Sequence, residues 1–459
     1  MTDITRVPNG ALKEALREAQ LSYEQLAADV RKIAALAGHE LRTNKSAVAH
    51  WVGGLEPEPA TAAYIAEAIS RRIGRQLTPA DLGFTPQTWT SPTPLLGLGV
   101  GPDPVNMLRR IAEADIYRRK FLTGAAYCVA AAALPLGEAQ AQEYAARTTG
   151  PRAGRPELDA VRDMTTAFTT VDERYGGQHG RRAVMQYWDE VADLCESRFA
   201  TEAEHRECLT LAANLVYLLG WKAYDAAEHG LAQRYYLQAY ALTQGAGDEQ
   251  HGAWILRIMA HNGLDIRQPE HTLSLADAAL NRVRGRVSPM TESLFAITRA
   301  RALAVAGRGP EAASQIREAQ DLVRRGEAED VAHWAALWGS PAATVSSHTA
   351  KTFRVLGDHA NAERHYAASI RNRRGSSGQQ RISALTLASQ AEEQAAQGHL
   401  EAACGTWDQA LGLFQGVRSN RAVSAVKGMR STLKVFEDRG VRAAADLDER
   451  ARDWQLAHA

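Results

Sequence analysis

The chain has 459 residues, enough for two or three domains, and its 53 Lys and Arg balance 53 Asp and Glu. That balance gives no overall field to draw the chain onto nucleic acid or membrane, so any polyanion binding must come from a local patch. Hydrophobic residues make up 45%, as in soluble globular proteins. The four cysteines, Cys128, Cys195, Cys208 and Cys404, form no CxxC pair and no disulfide framework; they read as reduced, mostly buried thiols of a cytosolic protein.

The pattern is helical almost throughout. Strand-like alternation is scarce, while apolar residues recur at three- and four-residue spacing. Residues 1–85 read as several short capped helices. "LSYEQLAADV" (21–30) starts one, with Ser22 as N-cap, Gln25 completing a capping box, and Leu26, Ala27 and Val30 as its apolar stripe. "RTNKSAVAHWVGG" (42–54) holds a second, capped by Thr43 or Asn44, facing Val48 and Trp51 inward and stopped at Gly53-Gly54. "PATAAYIAEAISRRIG" (59–74) is a third, led by Pro59, and "TPADLG" (78–83) a short fourth with Thr78 as its cap.

A short helix, a bend, a second helix with a glycine stop and a further packing helix suit a helix-turn-helix. On "SYEQLAADV", "NKSAVAHWVGG" and the proline-led helix after them, the segment resembles the phage-repressor-like helix-turn-helix (XRE-type) family. The resemblance implies that the second helix enters the major groove of double-stranded DNA, with Lys45, Ser46 and His50 at base edges. It puts Ser22, Tyr23, Arg42 and Asn44 near phosphates. The insertion "RKIAALAGHELRT" departs from the usual short connection and lengthens the first helix and the loop. The ten basic and ten acidic residues of 1–85 confine positive charge to Arg42/Lys45 and Arg71/Arg72/Arg75. The alternative is an ordinary small helical domain with solvated charges.

Residues 86–105, "PQTWTSPTPLLGLGVGPDPV", read as a Pro/Gly-rich linker, and 106–154 as connecting or dimerisation helices. Within the latter, "RRKFLTGAAYCVAAAALP" (118–135) imitates a twin-arginine export signal. Such a signal works at an N-terminus, and the apolar run from Phe121 to Leu136 is 16 residues, short of the roughly 20 that span a bilayer. The expectation is a buried helix joining linker to solenoid, or a dimerisation helix, with no membrane contact.

From 155 to 459 one pattern repeats. "AEHGLAQRYYLQAY" places Ala232, Tyr236 and Ala239; "GRGPEAASQIREAQ" places Ala312, Ile316 and Ala319. "GDHANAERHYAASI" places Ala362, Tyr366 and Ser369; "GHLEAACGTWDQAL" places Ala403, Trp407 and Ala410. Each gives a small residue, a bulky one four on, and a small one three further. The preceding helices carry small residues at Gly220, Ala300, Ala350 and Ala391. The set resembles tetratricopeptide repeats, with units near 40 residues, and weaker pairs fill 157–197, 249–284 and 420–457. The resemblance implies an α-solenoid of about seven helix pairs with a concave groove. The same register faces Asn214, Tyr217, Trp221, Trp254, Arg257, His261, Arg301, Ser347 and Lys351 into that groove. The lining suits a peptide or an anionic small molecule; core aromatics and solvated cations are the alternative. "RNRRGSSGQQR" (371–381) reads as a mobile, solvated loop.

There is no P-loop lysine, strand-flanked dinucleotide loop, HExxH, metal-spaced Cys/His cluster or nucleophile elbow, so no enzyme, metal or cofactor is expected. As a whole the chain resembles actinobacterial regulators that join a repressor-like helix-turn-helix to C-terminal tetratricopeptide repeats, and more distantly the Gram-positive peptide-pheromone receptors. Members of the first group are implicated in control of development and antibiotic production. The expectation is therefore an all-α, cytoplasmic, nucleoid-associated transcriptional regulator. It would be a homodimer on double-stranded DNA, controlled by a peptide, small molecule or protein partner. The alternative is a solenoid scaffold with no DNA role.

Overall fold

The computed structural model describes residues 7–36, 40–73, 77–84, 97–100, 103–117, 127, 150–267, 269, 271–327, 330–336, 338–373, 379–438 and 441–458. Over these the chain is all-α, with one isolated bridge between Arg152 and Arg198. No helix among the described residues is long and apolar enough to cross a membrane.

Four helices form the N-terminal unit: α1 (Gly10–Glu18), α2 (Tyr23–Leu36), α3 (Lys45–Val52) and α4 (Pro59–Ile73). Asn9 caps α1 through Leu12 N–H at 2.9 Å, and Asn9 N–H also donates to the Val52 carbonyl at 2.9 Å, tying the start of α1 to the end of α3. The box at α2 forms as read: Gln25 N–H donates to Ser22 Oγ at 3.2 Å and Ser22 N–H to Gln25 Oε1 at 2.9 Å. Asn44, not Thr43, caps α3, accepting from Ala47 N–H at 3.0 Å. Leu12, Leu16, Leu26, Val30, Val48 and Ile65 close one core. The fourth helix expected at 78–83 is instead a turn, in which Thr78 and Asp81 bond each other and the local backbone. The chain leaves the helical path at Gly83 before a second turn can form.

The expected linker is partly packed structure. Helix α5 (Pro104–Tyr117) begins inside it, and Leu98 and Val105 join the main core. Gln238 holds the strip through Nε2, which donates to the Gly97 and Gly99 carbonyls at 3.0 and 2.9 Å. The Arg-Arg segment at 118–136 lies outside the described residues except Tyr127, whose buried hydroxyl donates to the Met259 carbonyl at 3.4 Å.

Fourteen longer helices follow in sequential pairs: α6 (Arg155–Tyr175) and α7 (Arg181–Cys195), α8 (Glu202–Asp225) and α9 (His229–Ala246), α10 (Glu249–Asp265) and α11 (Thr272–Val283), α12 (Pro289–Val305) and α13 (Gly309–Arg325). After the short α14 (His333–Ala336) come α15 (Pro341–Val355) and α16 (His359–Arg371), α17 (Gln380–Ala396) and α18 (Leu400–Leu413), α19 (Asn420–Glu437) and α20 (Arg442–Ala457). Each small–bulky–small triplet read from the sequence is buried at all three positions. Tyr236 shows why the small residues are needed. A Cβ added at Gly220 would sit 2.5 Å from its ring, so only glycine lets α8 and α9 approach this closely.

The succession closes on itself. Helix α6 packs on both α8 and α17. Arg381 donates to Asp172 at 2.9 Å and pairs with Asp225 at 2.9 Å and Glu173 at 3.4 Å. Arg418 N–H donates to the Tyr175 carbonyl at 2.8 Å, and Ser419 Oγ to Asp225 at 2.9 Å. Arg373 and Arg381, expected in a solvated loop, are therefore buried, because their donors find Ser369, Thr386 and these carboxylates. Residues 374–378 lie outside the described residues.

Cys195, Cys208 and Cys404 are free and buried, with the first two sulfurs 3.9 Å apart. His251 on α10 is also buried, stacked 6.0 Å from Trp334, and neither ring nitrogen has a hydrogen-bond partner among the described residues. Burial pushes its pKa from 6.5 down to about 3, with His333 adding to the shift. The folded chain thus keeps it neutral while the unfolded chain protonates it near 6.5. The resulting stability is present above pH 6.5 and is lost as pH falls toward 3, at about 1.4 kcal/mol per pH unit. Thermal melting of wild type and His251→Phe between pH 7.5 and 4.5 should show a shallower pH dependence in the variant. Parallel curves would contradict this.

Candidate functional site

Two places concentrate accessible functional groups. The first is the leading edge of α3. Val48 and Trp51 anchor the helix in the N-terminal core, which turns Lys45, Ser46, Ala49 and His50 out to solvent on one face. Arg42 is exposed just before it. Ser22 and Asn44 are exposed, but their side-chain oxygens are occupied by caps, leaving the Ser22 hydroxyl proton and the Asn44 Nδ2 as donors. Tyr23 is half-buried against the core. Of the second basic patch, Arg72 pairs with Asp29 at 3.0 Å; Arg75 lies outside the described residues.

Helix α4 links this unit to the rest. Its Ile65 and Ile69 face the N-terminal core, yet Thr61, Ala63, Glu67 and Ser70 are buried as well. Tyr64, buried here, has its pKa pushed up to about 12 by burial, moderated by the charge of Arg234 on α9. Arg234 of α9 thus lies near enough to Tyr64 of α4 for its charge to act on that hydroxyl.

The second place is a cavity of about 200 Å³, partly open to solvent, among the helices of this closed succession. Tyr217, Trp221, Trp254 and Arg257 line it from α8 and α10. His261, Ser347 and Lys351 complete the seven of nine expected groove residues that it brings together. Asn214 is buried one turn before Tyr217 and does not line the cavity, because α8 has not yet reached it. Arg301 stands behind the wall, donating to Asp265 at 2.6 Å and to His261 Nδ1 at 3.0 Å.

That last contact fixes a tautomer. Arginine can only donate, so His261 Nδ1 is an acceptor and the proton sits on Nε2, 3.2 Å from Asp265. Burial pushes the imidazole down to about 3 despite Asp265, so the ring is neutral. Burial would raise Asp265, but Lys351, His261 and Arg301 hold it well below the usual carboxylate range. Lys351 is lowered to about 8 by burial, with Asp265 opposing.

A family profile described as the SP15 N-terminal domain matches residues 12–85. No curated protein sequence matches the chain. The matched stretch coincides with the N-terminal core, which runs from Leu12 to Phe84, and stops before the helices that form the cavity.

The sequence reading missed the far wall. Trp338 follows α14, Arg373 and Arg381 flank the Arg-rich loop, and Arg421 starts α19; all line the cavity. His348, beside Ser347, was legible from the register and stacks 5.1 Å from His261.

Proposed function

We propose that this chain is a sequence-specific DNA-binding transcriptional regulator whose C-terminal helices sense an effector. The observation that carries the reading is the face of α3. Lys45, Ser46, Ala49 and His50 stand exposed along one face of a short helix whose other face is buried through Val48 and Trp51. In a phage-repressor-like helix-turn-helix this is the edge that meets bases, with α2 crossing the backbone. The seven helix pairs, with buried small–bulky–small triplets, agree with a tetratricopeptide-type solenoid and supply the ligand-sized cavity. A homodimer would present two copies of α3 about 34 Å apart to a palindromic site. An effector acts by favouring one arrangement of those helices through its differential affinity. Helix α9 offers a route, since Tyr236 packs on Tyr217 of the cavity wall while Arg234 lies toward α4.

The second reading, a scaffold for a protein partner, is favoured by α4, whose burial on both faces would lock the N-terminal unit as an adaptor. Titrating salt against binding of random duplex DNA separates the two. A regulator binds, and log K falls linearly with log salt at about −0.9 per phosphate neutralised. A scaffold shows no affinity at any salt concentration.

A further inference from the structure

The cavity wall holds more cationic groups than its carboxylates answer. Asp265 is shared by Lys351, Arg301 and His261. Asp172 and Asp225 hold Lys222 and Arg381, and Glu173 lies 3.4 Å from Arg381. Among the described residues, two wall guanidiniums form no ion pair with a carboxylate, although the charge of Glu173 reaches Arg373. Arg257 is 4% exposed; its Nε donates to the Leu294 carbonyl at 2.8 Å, its Cζ lies 4.5 Å from the Trp254 ring centre, and its terminal nitrogens make no hydrogen bond among the described residues. Among the described residues Arg373 hydrogen-bonds Ser369 and Thr386. Burial lowers each to about 10, so both stay charged at neutral pH.

A buried charge without a counter-ion destabilises the empty protein, and an anion at that point relieves it. The planar fork of a guanidinium matches a carboxylate or phosphate with two parallel N–H donors. The neighbouring wall is aromatic: Tyr217 lies 4.5 Å and Trp221 5.5 Å from Trp338. Such faces take a flat ring. A volume of about 200 Å³ has room for one or two fused rings.

We infer that the cavity binds a small aromatic acid, its ring against Trp221 and Trp338 and its carboxylate or phosphate on Arg257. This names the ligand class of the effector site proposed above, and its regulatory meaning rests on that reading.

The test is calorimetric titration of the full chain, without DNA, with tryptophan fluorescence as a second readout. The probes are 1-naphthoate, 1-naphthyl phosphate, 1-naphthamide and 1-naphthylmethylamine. At least one of the two anions should bind with 1:1 stoichiometry, at least tenfold tighter than the amide, and the amine should not bind. Which anion binds tighter tells a carboxylate from a phosphate ligand. Arg257→Gln should weaken the anion at least tenfold and leave the amide unchanged, with a melting temperature no lower than wild type; should that variant not fold, Arg373→Gln takes its place with the same expectation for the anion and the amide, while Trp338→Leu, which removes the stacking ring, should weaken acid and amide alike. Equal binding of acid and amide, no binding by either anion, or indifference to these substitutions overturns the inference. Because DNA is absent, the two ideas fail separately. Naphthoate binding by a chain with no DNA affinity leaves the ligand class standing and removes the regulator; DNA binding without anion binding does the reverse.

Discussion

Arg381→Ala is expected to lower the unfolding free energy by about 3–5 kcal/mol, the cost of leaving buried carboxylates without their partner. Arg381 is 1% exposed and joins α17 to Asp172 and Asp225, both fully buried. Without it, Asp172 keeps Lys222 at 3.1 Å, but Asp225 keeps only Ser419, the Gly177 N–H and Arg421 at 3.9 Å. Adding Asp225→Asn should recover part of the loss, since the amide removes the orphaned charge. Denaturant unfolding measures both. Arg371→Ala, at an exposed position ten residues earlier, should change stability by less than about 0.5 kcal/mol. A loss at Arg381 as small as at Arg371 would mean that the contact does not hold the closure.

Gly176→Ala should be of similar size for a different reason. Gly176 has φ +96 and ψ 163, a region open in practice only to glycine. An added Cβ would lie 2.2 Å from the Arg418 carbonyl oxygen, and backbone cannot swing aside as a side-chain end can. Strain plus displacement of Arg418 puts the cost at about 2–5 kcal/mol. It also breaks the Arg418-to-Tyr175 hydrogen bond that seals the two ends. Gly180 nearby is the control: φ is +67 but nothing lies within 4 Å of a Cβ there. Gly180→Ala should therefore cost only about 1–2 kcal/mol. Equal effects at the two glycines would contradict the close approach.

What the sequence made legible was local. The Ser22–Gln25 box, the Val48/Trp51 face and the triplets around Tyr236, Tyr366 and Trp407 all depend on residues within one helix or one turn. Helix α1 carries the same kind of signal, Leu12, Ala15 and Leu16 at helical spacing in "GALKEALRE". The turn at Thr78 shares its cap chemistry with a helix start, so the cap alone misled. Half of the cavity was legible because its aromatics repeat at helical spacing on α8 and α10. The other half was not. Closure brings Arg381 to Asp172 across 209 positions, and no periodicity reports a pairing of that range. For the same reason two buried arginines looked like a solvated charge run.

The central claim is that the free edge of α3 reads DNA. Its most direct measurement starts from a duplex selected by the wild-type chain from random sequence, and compares the affinity of wild type and Lys45→Ala/His50→Ala for it. Each good base contact is worth about 1–3 kcal/mol. The double variant should therefore bind the selected duplex at least tenfold more weakly, while its melting temperature stays at the wild-type value because both side chains are exposed. A failure of the wild type to select any sequence, or an unchanged affinity in the variant, would contradict the account.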